Sequence, residues 1–374
     1  MAPYRFPLFR EIAKNRDIDL TVYFMSVSAK NRKWKRIPKD LGFKYEVLPK
    51  IELNFFGKDL FTYIVNYTFP YKFINKKFDV IISAGWLDFS SQMAFLLAKI
   101  FRKKFIIWSE STINEPSWRR TLSLQYVKLL VKNSDACLPI GTRAKEYLLK
   151  LGVNLKKIFV GYSTVDIELF KTKSKISKKV KEFMRKKYGI PDKKVILYVG
   201  QFIQRKGVIY LLEAFKNLKK KKTNIALILL GYGPEKNKFI KFVKQNKIKD
   251  VVFVDFVEVD EMPEYYGISD VFVLPSLEET WGLVINEAMA ASLPVVTTRK
   301  VGSSVDLVKA GINGYVVNEA NPKQLEKALF QILSNGRKML KMGKASENII
   351  RSFTPKHQAA SFIKAVNYAY TNIK

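Results

Sequence analysis

Two glutamates, Glu279 and Glu287, lie on either side of the start of a predicted helix. An apolar run at residues 271–274 predicts a short buried strand, and the polar residues that follow predict a loop. The apolar spacing that begins near Gly282 predicts a helix that ends before Pro294. The sequence therefore places one carboxylate in the loop before a helix and the other inside that helix.

The first turn of such a helix carries backbone N–H groups that have no partner within the helix. Thr280, Trp281, Gly282 and Leu283 supply these groups here. Phosphate groups commonly bind at this position, and carboxylates beside a phosphate can accept hydrogen bonds from sugar hydroxyls. The stretch therefore suggests a site for a nucleotide sugar. The alternative is a capped amphipathic helix with two solvated glutamates.

A longer pattern surrounds these two glutamates. Its residues are Pro275-Ser276, Glu279, Trp281-Gly282-Leu283, Glu287-Ala288-Met289-Ala290 and Pro294-Val295-Val296. They resemble the signature of retaining glycosyltransferases of family 4, also called glycosyl transferases group 1. The resemblance implies an α/β chain with the GT-B fold, in which two Rossmann-like, doubly wound domains face each other across a cleft. It also implies a C-terminal helix that crosses back to the first domain.

Composition limits the chemistry that the chain can perform. Its 374 residues suggest two domains, and 48% hydrophobic with 26% charged residues is typical of a globular protein. The single cysteine excludes an intrachain disulfide, and the single histidine argues against a Ser-His-Asp triad and a His/Cys metal site. We therefore expect no metal and no cofactor, and we expect carboxylates or the substrate itself to transfer protons.

The chain has a formal net charge of +33, which favours anionic partners such as nucleotide phosphates, nucleic acid or acidic lipid headgroups. Because lysines occur in every predicted helix, the charge alone does not identify one partner. It leaves open a non-catalytic GT-B-like protein that binds polyanions. We predict no specific nucleic-acid partner.

No stretch is apolar enough and long enough to predict a transmembrane helix. We expect a cytoplasmic location, with peripheral attachment to an anionic membrane surface at its inner face as an open alternative. Aromatic residues and lysines alternate in residues 55–77. This segment fits a helix packed on the sheet better than a membrane interface, although the pattern suits both.

In the first half, predicted strands alternate with helices, which indicates a parallel sheet. The predicted strands are residues 19–27, 45–48, 78–84, 105–108, 135–140 and 156–165. Ligands bind at the carboxyl ends of such strands. This rule places five residues around one cleft: Trp86, Asp88, Glu110, Ser111 and Gly141. Glu110 is interpreted either as a cleft carboxylate or as a cap for the segment that follows it.

The beginning of the sequence departs from the family pattern. Family members have an apolar strand before a loop like residues 3–10, and that strand is missing here. We expect the missing strand to expose sheet edges and lower stability, so an inactive, truncated relative remains an alternative. The resemblance implies that the loop itself, with Tyr4 and Arg5, faces the acceptor.

The second half begins with a predicted strand at residues 195–199, which Gly200 ends. Arg205 and Lys206 then precede a predicted helix, and two cations at such a point suit a diphosphate. In the family, the matching lysine binds the donor diphosphate. Many members also have an arginine where this chain has Gln201, so Arg205 must supply the second charge or there is only one.

Three further positions belong to the predicted donor site. Gly231 and Gly233 match the family's Gly-x-Gly-Pro turn near the nucleotide. A strand is predicted at residues 251–257, and the resemblance implies that backbone near Val257 borders the nucleobase. The chain has Asp255 where the family usually has glycine, which leaves the preferred base open. Gly302 begins a segment that resembles a glycine-rich loop.

These observations predict three regions: an acceptor-side domain at residues 1–167, a donor domain at residues 168–353, and a returning helix at residues 354–374. The predicted function is retaining transfer of a hexose from a UDP- or GDP-linked sugar to a glycan or lipid-linked hydroxyl, in surface polysaccharide or glycolipid synthesis. Catalytic roles are assigned to Glu279, Lys206, Arg205 and Glu110. The resemblance implies that Glu279 holds sugar hydroxyls and Glu287 holds the ribose hydroxyls.

Overall fold

A computed structural model describes residues 2–27, 40–55, 61–76, 78–113 and 118–371. The chain divides into two compact units. Unit 1 comprises Met1–Ser163 and Pro355–Lys374, and unit 2 comprises Thr164–Thr354. Residues 56–60 and 77 of the aromatic segment lie outside the described residues. Across the described ranges, every helix is too short or too polar to cross a lipid bilayer.

The strands of unit 1 form three separate groups in the described part of the chain. Two strands pair in parallel, two pair as an antiparallel hairpin, and three form a parallel sheet in the order β5-β6-β7. The strands are β1 (Thr21–Phe24), β2 (Lys44–Val47), β3 (Ile51–Phe55), β4 (Phe61–Val65), β5 (Val80–Ala84), β6 (Lys104–Ser109) and β7 (Ala136–Pro139).

Two predictions of secondary structure in unit 1 were wrong. The β3–β4 hairpin replaces part of the helix that we predicted in the aromatic segment. The predicted strand at residues 156–165 is reduced to a single parallel bridge between Cys137 and Ile158. Its apolar residues pack without a continuous ladder, and a 3₁₀ turn occupies Leu155–Lys157.

The first five helices also belong to unit 1 and mostly follow strands. They are α1 (Phe6–Ala13), α2 (Phe69–Asn75), α3 (Phe89–Ile100), α4 (Trp118–Lys132) and α5 (Thr142–Lys150). The predicted loop at residues 3–10 was wrong, because a 3₁₀ turn at Pro3–Arg5 leads directly into α1. Phe6, Leu8 and Ile12 are buried on α1, so packing orders this segment as a helix.

Unit 2 contains a six-stranded parallel sheet in the order β10-β9-β8-β11-β12-β13. Its strands are β8 (Lys194–Val199), β9 (Ile225–Leu230), β10 (Val251–Val254), β11 (Val271–Leu274), β12 (Val295–Thr298) and β13 (Gly314–Val317). The apolar runs of β9, β11 and β12 are fully buried, as expected for a sheet covered on both faces. From β8 the chain adds strands first towards one edge of the sheet and then, from β11, towards the other edge. Ligands of parallel sheets bind at such a switch point.

Unit 2 also contains nine helices, all within the described residues. They are α6 (Ile167–Lys173), α7 (Lys178–Lys187), α8 (Val208–Lys221), α9 (Lys236–Gln245), α10 (Met262–Gly267), α11 (Leu283–Ala290), α12 (Ser304–Leu307), α13 (Pro322–Leu333) and α14 (Gly336–Ile350). The sequence did not predict α14. Buried Met342 and Ile350 fix its inner face, and it packs against α11.

The last helix, α15 (Pro355–Thr371), returns to unit 1. It packs against α1, β6 and β7. The rings of Phe362 and Trp108 lie 5.0 Å apart in a T-shaped contact, and Gln358 donates a hydrogen bond to the carbonyl of Gly161. Phe362 and Ala365 are buried in this interface.

Candidate active site

Two loops meet at the switch point of the unit 2 sheet. The loop after β8 carries Arg205 and Lys206, and the loop after β11 carries Glu279. The Leu277 amide donates a 2.8 Å hydrogen bond to the carbonyl of Arg205, which joins the loops. Gly207 has a φ of +66°, and a Cβ there would lie 2.2 Å from the carbonyl oxygen of Pro275. Close packing of backbone against backbone therefore positions the two cations beside Glu279.

Glu279 is the counter-ion of both cations. Lys206 Nζ donates to Glu279 Oε2, and these side chains are only 12% and 13% exposed. Arg205 Nη1 lies 3.9 Å from the same oxygen, and Arg205 is 45% exposed. The structure thus brings together three predicted site residues. The direct Lys206–Glu279 contact was not anticipated, because the two residues are distant in sequence.

A third loop supports the Glu279 segment from the side of β12. Gly302 donates its amide to the carbonyl of Glu279, and the Ser303 amide and hydroxyl both donate to the carbonyl of Trp281. A Cβ at Gly302 would lie 1.8 Å from the carbonyl oxygen of Thr280. The predicted glycine-rich loop at residues 302–304 therefore holds the site through its backbone.

The N-terminus of α11 presents free backbone donors. Gly282 is the N-cap residue, with a φ of +91° and no side-chain cap. Within the described ranges, the amides of Thr280, Gly282, Leu283 and Val284 donate to no protein acceptor. Thr280, Gly282 and Leu283 were among the predicted donors, and such a group of N–H donors can bind an anion.

The side chain of Trp281 packs inside the unit. It is 3% exposed, and its Nε1 donates to Asn286 Oδ1 at 3.0 Å. The indole therefore anchors the start of α11. Any contact between Trp281 and a ligand would involve its backbone.

Glu287 lies on α11 and accepts a 2.6 Å hydrogen bond from the hydroxyl of Tyr266 on α10. Burial raises the pKa of the Glu287 carboxyl to about 7, although the bond from Tyr266 lowers it. The carboxyl group therefore exchanges its proton near neutral pH. Sequence reasoning missed Tyr266, because no motif marks this fully buried residue.

The predicted donor-site glycines bring two loops together. The Phe202 amide donates to the carbonyl of Tyr232 at 2.7 Å. A Cβ at Gly231 would lie 1.8 Å from the carbonyl oxygen of Gly200, and one at Gly233 would lie 2.5 Å from that of Phe202. These glycines are explained by loop-to-loop contact, so they give no independent indication of a ligand.

The predicted nucleobase side follows β10, which ends at Val254 and not at Val257. Asp255 pairs with Lys236 at 2.6 Å, and the Tyr232 and Phe256 rings lie 5.8 Å apart. Val257 is half-buried beyond the strand. The role of its backbone stays a prediction.

In unit 1 the ends of β5, β6 and β7 are adjacent. The Gly85 amide donates to the carbonyl of Trp108, and the Ile140 amide donates to the carbonyl of Ser109. These bonds place Trp86, Glu110 and Gly141 at one edge of the sheet, where Ser111 also follows β6. Gly141 is the N-cap position of α5.

Arg5 and Glu110 form an ion pair at this edge. The Arg5 guanidinium also lies 4.4 Å from the centre of the Trp108 ring and 5.8 Å from that of Tyr4. Glu110 was interpreted as a cleft carboxylate or a cap. Residues 111–113, which directly follow Glu110 in the described structure, contain no helix that it could cap. The observed partner of the Glu110 carboxylate is the Arg5 guanidinium.

Two of the predicted acceptor-side residues have structural roles. Asp88 caps α3: its Oδ1 accepts from the Ser91 amide at 2.9 Å and its Oδ2 from the Ser91 hydroxyl at 2.6 Å. Trp86 is 8% exposed and packs near Tyr147. These contacts explain both residues without an acceptor, and their binding roles stay predictions. Over the described residues, His, Cys, Asp and Glu form no group of three or more that could hold a metal ion.

Residues 180–349 match the family model "Glycosyl transferases group 1". This range lies within unit 2 and contains Arg205, Lys206, Glu279 and Glu287. The chain therefore contains a glycosyl transferases group 1 domain. The ion pair of Lys206 and Glu279 and the hydrogen bond of Tyr266 to Glu287 therefore both lie within that domain.

The chain is similar to curated proteins from several bacteria. Spore coat protein SA of Bacillus subtilis is 32% identical over 195 residues, which are 50% of this chain and 52% of that protein. The lipopolysaccharide 1,2-N-acetylglucosaminetransferase of Salmonella typhimurium is 30% identical over 181 residues, which are 43% and 47% of the two chains. The chain thus spans about half the length of these curated relatives.

A similar crystal structure is that of Anabaena HepE in complex with UDP and glucose. It matches with a TM-score of 0.74 and 17% identity, over 98% of this chain and 96% of that chain. This likeness shows the fold. The chain has the GT-B fold, with parallel sheets that form Rossmann-like domains.

Proposed function

We propose that this protein transfers a hexose from a nucleoside-diphosphate sugar to a hydroxyl group, with retention of anomeric configuration. The observation that carries the proposal is the Lys206–Glu279 pair beside the open N-terminus of α11. A diphosphate requires cations and N–H donors, and a sugar requires hydrogen-bond acceptors. Both kinds of group lie together at the switch point between β8 and β11.

In the proposed reaction, the diphosphate replaces Glu279 as the partner of Lys206 and Arg205. The amides of Leu283 and Val284 add donors at the helix N-terminus. Negative charge develops on the leaving diphosphate as its bond to the sugar breaks, and these preorganised groups stabilise that charge. We propose that the two cations do this work without a metal ion.

The released Glu279 carboxylate then accepts hydrogen bonds from sugar hydroxyls near the reacting carbon. Glu287 accepts hydrogen bonds from the ribose hydroxyls. The acceptor oxygen forms the new bond to the sugar, and its proton passes to the leaving phosphate. The Arg5–Glu110 pair is proposed for the acceptor, together with Tyr4, Ser111 and Gly141.

The named relatives support a substrate class. HepE was crystallised with UDP and glucose, and the Salmonella protein is named for N-acetylglucosamine transfer in lipopolysaccharide. We therefore propose a UDP-linked hexose as the first donor to test and a GDP-linked hexose as the second. We propose a glycan or lipid-linked acceptor in surface polysaccharide or glycolipid synthesis, on the cytoplasmic side.

The test compares Glu279→Gln with Glu278→Gln, a neighbour whose side chain forms no ion pair in the described structure. Calorimetry would measure binding of UDP and GDP, and a coupled assay would measure release of the nucleotide from UDP- and GDP-sugars. We expect Glu279→Gln to bind the bare diphosphate at least as tightly, because a competing carboxylate charge is gone. We expect its turnover to fall by roughly 100-fold, because a group that stabilises the transition state is lost.

Glu278→Gln should leave both quantities nearly unchanged. Equal turnover in the two variants would contradict the assignment of Glu279. Binding of any polyanion, with no preference for a nucleotide and a steep loss in salt, would favour the non-catalytic alternative.

A further inference from the structure

Helix α2 of unit 1 is apolar on its outer face as well as on its inner face. Phe69 and Phe73 are buried in the core. Tyr71 and Ile74, three residues apart on α2, share the opposite face and are 72% and 58% exposed. Tyr67 lies in the turn before α2 and is 55% exposed. Neighbouring apolar side chains that are exposed on one surface commonly mark a site of contact with another molecule or a membrane, so the outer face is suited to contact another surface.

Helix α3 extends the same surface. Leu96 and Ile100 are one turn apart and are 50% and 61% exposed, and Phe101 at the end of the helix is 45% exposed. The Phe101 ring lies 6.1 Å from the Phe73 ring, so the ends of the two helices touch. Because α2 and α3 pack against each other, both exposed faces belong to the same region of unit 1. The α2–α3 patch consists of Tyr67, Tyr71, Ile74, Leu96, Ile100 and Phe101.

The rim of the α2–α3 patch is basic. Its cations are Lys72, Lys76, Lys99, Arg102 and Lys103. Glu46 and Asp135 are the counter-ions of three of them. Across the described ranges, no carboxylate lies within ion-pair distance of Arg102 or Lys103, which leaves the rim with a net positive charge.

We propose that the α2–α3 patch docks this protein on the surface of an anionic lipid bilayer. Tyrosine and aliphatic side chains enter the boundary between headgroups and acyl chains, and lysines extend their charge to the headgroups. Protein interfaces are depleted in lysine, so the rim favours a bilayer over a protein partner. Docking is a separate property from sugar transfer and does not depend on the donor site.

The experiment measures sedimentation of the full chain with vesicles of phosphatidylcholine alone and with about one third phosphatidylglycerol. The test variant is Tyr71→Ser with Ile74→Ser. The matched control is Leu340→Ser on α14 of unit 2, because Leu340 is as exposed as Tyr71 at 72%. Thermal unfolding and UDP binding would show that each variant is folded.

We expect the unmodified chain to bind the anionic vesicles, and to lose binding as salt is added. The double variant should bind at least about 10-fold more weakly, because two apolar anchors are removed, and Leu340→Ser should bind normally. Absence of binding to anionic vesicles, or equal binding by the folded double variant, would overturn the proposal. A wild-type dimer that the double variant abolishes, with no vesicle binding, would also overturn it.

Discussion

Unit 2 and unit 1 are of similar length but bury their apolar residues differently. Among the described residues, 24 large apolar side chains are exposed, and 17 of them belong to unit 1 against 7 in unit 2. Unit 2 has one sheet of six strands, and the described strands of unit 1 form three separate groups. The proposed donor site lies in the unit whose apolar residues are better buried, and the proposed docking surface lies in the other unit.

The physical reason is rigidity. Catalytic charges must be held in place before the reaction begins, and closely packed backbone holds them best. Loops that touch through Gly207, Gly231 and Gly302 meet this requirement in unit 2. A docking surface needs only exposed apolar area and charge, so the α2–α3 patch places no such demand on unit 1.

The largest effect that would test this comparison is expected for Lys206→Ala. We expect the turnover of donor sugar to fall by roughly 100-fold or more, because the main cation at the leaving diphosphate is lost. Steady-state kinetics with the cognate nucleotide sugar would measure it. Lys220→Ala, on the exposed end of α8, is the matched control and should be neutral. Full turnover by Lys206→Ala would mean that unit 2 does not hold the diphosphate in this way.

The close loop packing in unit 2 is tested by Gly207→Ala. We expect it to lower the free energy of unfolding by about 2 kcal/mol or more. The new Cβ would clash with the carbonyl oxygen of Pro275, and alanine is also disfavoured at the positive φ of this position. Gly311→Ala is the control, since Gly311 has a φ of +77° and no atom within 4 Å of an added Cβ. Urea unfolding would compare them. Equal losses of stability would show that the contact between the loops is not tight.

The smallest expected effect is the pH dependence of nucleotide binding. The ionised Glu287 carboxylate accepts hydroxyl hydrogen bonds, so we expect affinity for the nucleoside diphosphate to increase severalfold as the pH rises through about 7. Calorimetry at several pH values would measure it. Glu287→Gln should remove this increase and leave only the titration of the nucleotide itself. An unchanged pH profile in Glu287→Gln would contradict the role of this carboxylate.

The same pKa has a consequence for stability. The folded pKa of Glu287, about 7, lies above the usual value of 4.5, so the folded state holds this proton more tightly. The contribution of Glu287 to stability is therefore fully present at low pH. It is lost as the pH rises from about 4.5 towards 7.

Sequence reasoning was most accurate in unit 2. Strands such as β8 and β9 are continuous apolar runs. In a chain with a parallel sheet, such runs are readily assigned as buried strands. The predicted Arg205, Lys206, Glu279 and Glu287 all lie on the loops or the helix at the switch point. Local pattern succeeded there because each motif directly follows the strand that positions it.

Sequence reasoning was weaker in unit 1. Aromatic residues occur throughout residues 55–77, and we predicted a packed helix for this segment, so the β3–β4 hairpin was missed. The beginning of α1 was predicted as a loop, because its order comes from packing against distant aromatic residues such as Phe43. Tertiary contacts override local propensity in such segments.

Sequence reasoning alone predicted the fold class, the positions of most strands along the chain and the residue types at the candidate site. These follow from periodicity and from motifs whose residues are close together in the chain. Three pairs became visible only in the folded structure: Lys206 with Glu279, Tyr266 with Glu287, and Arg5 with Glu110. Those pairs join distant parts of the chain, and strand order and loop packing decide which side chains meet.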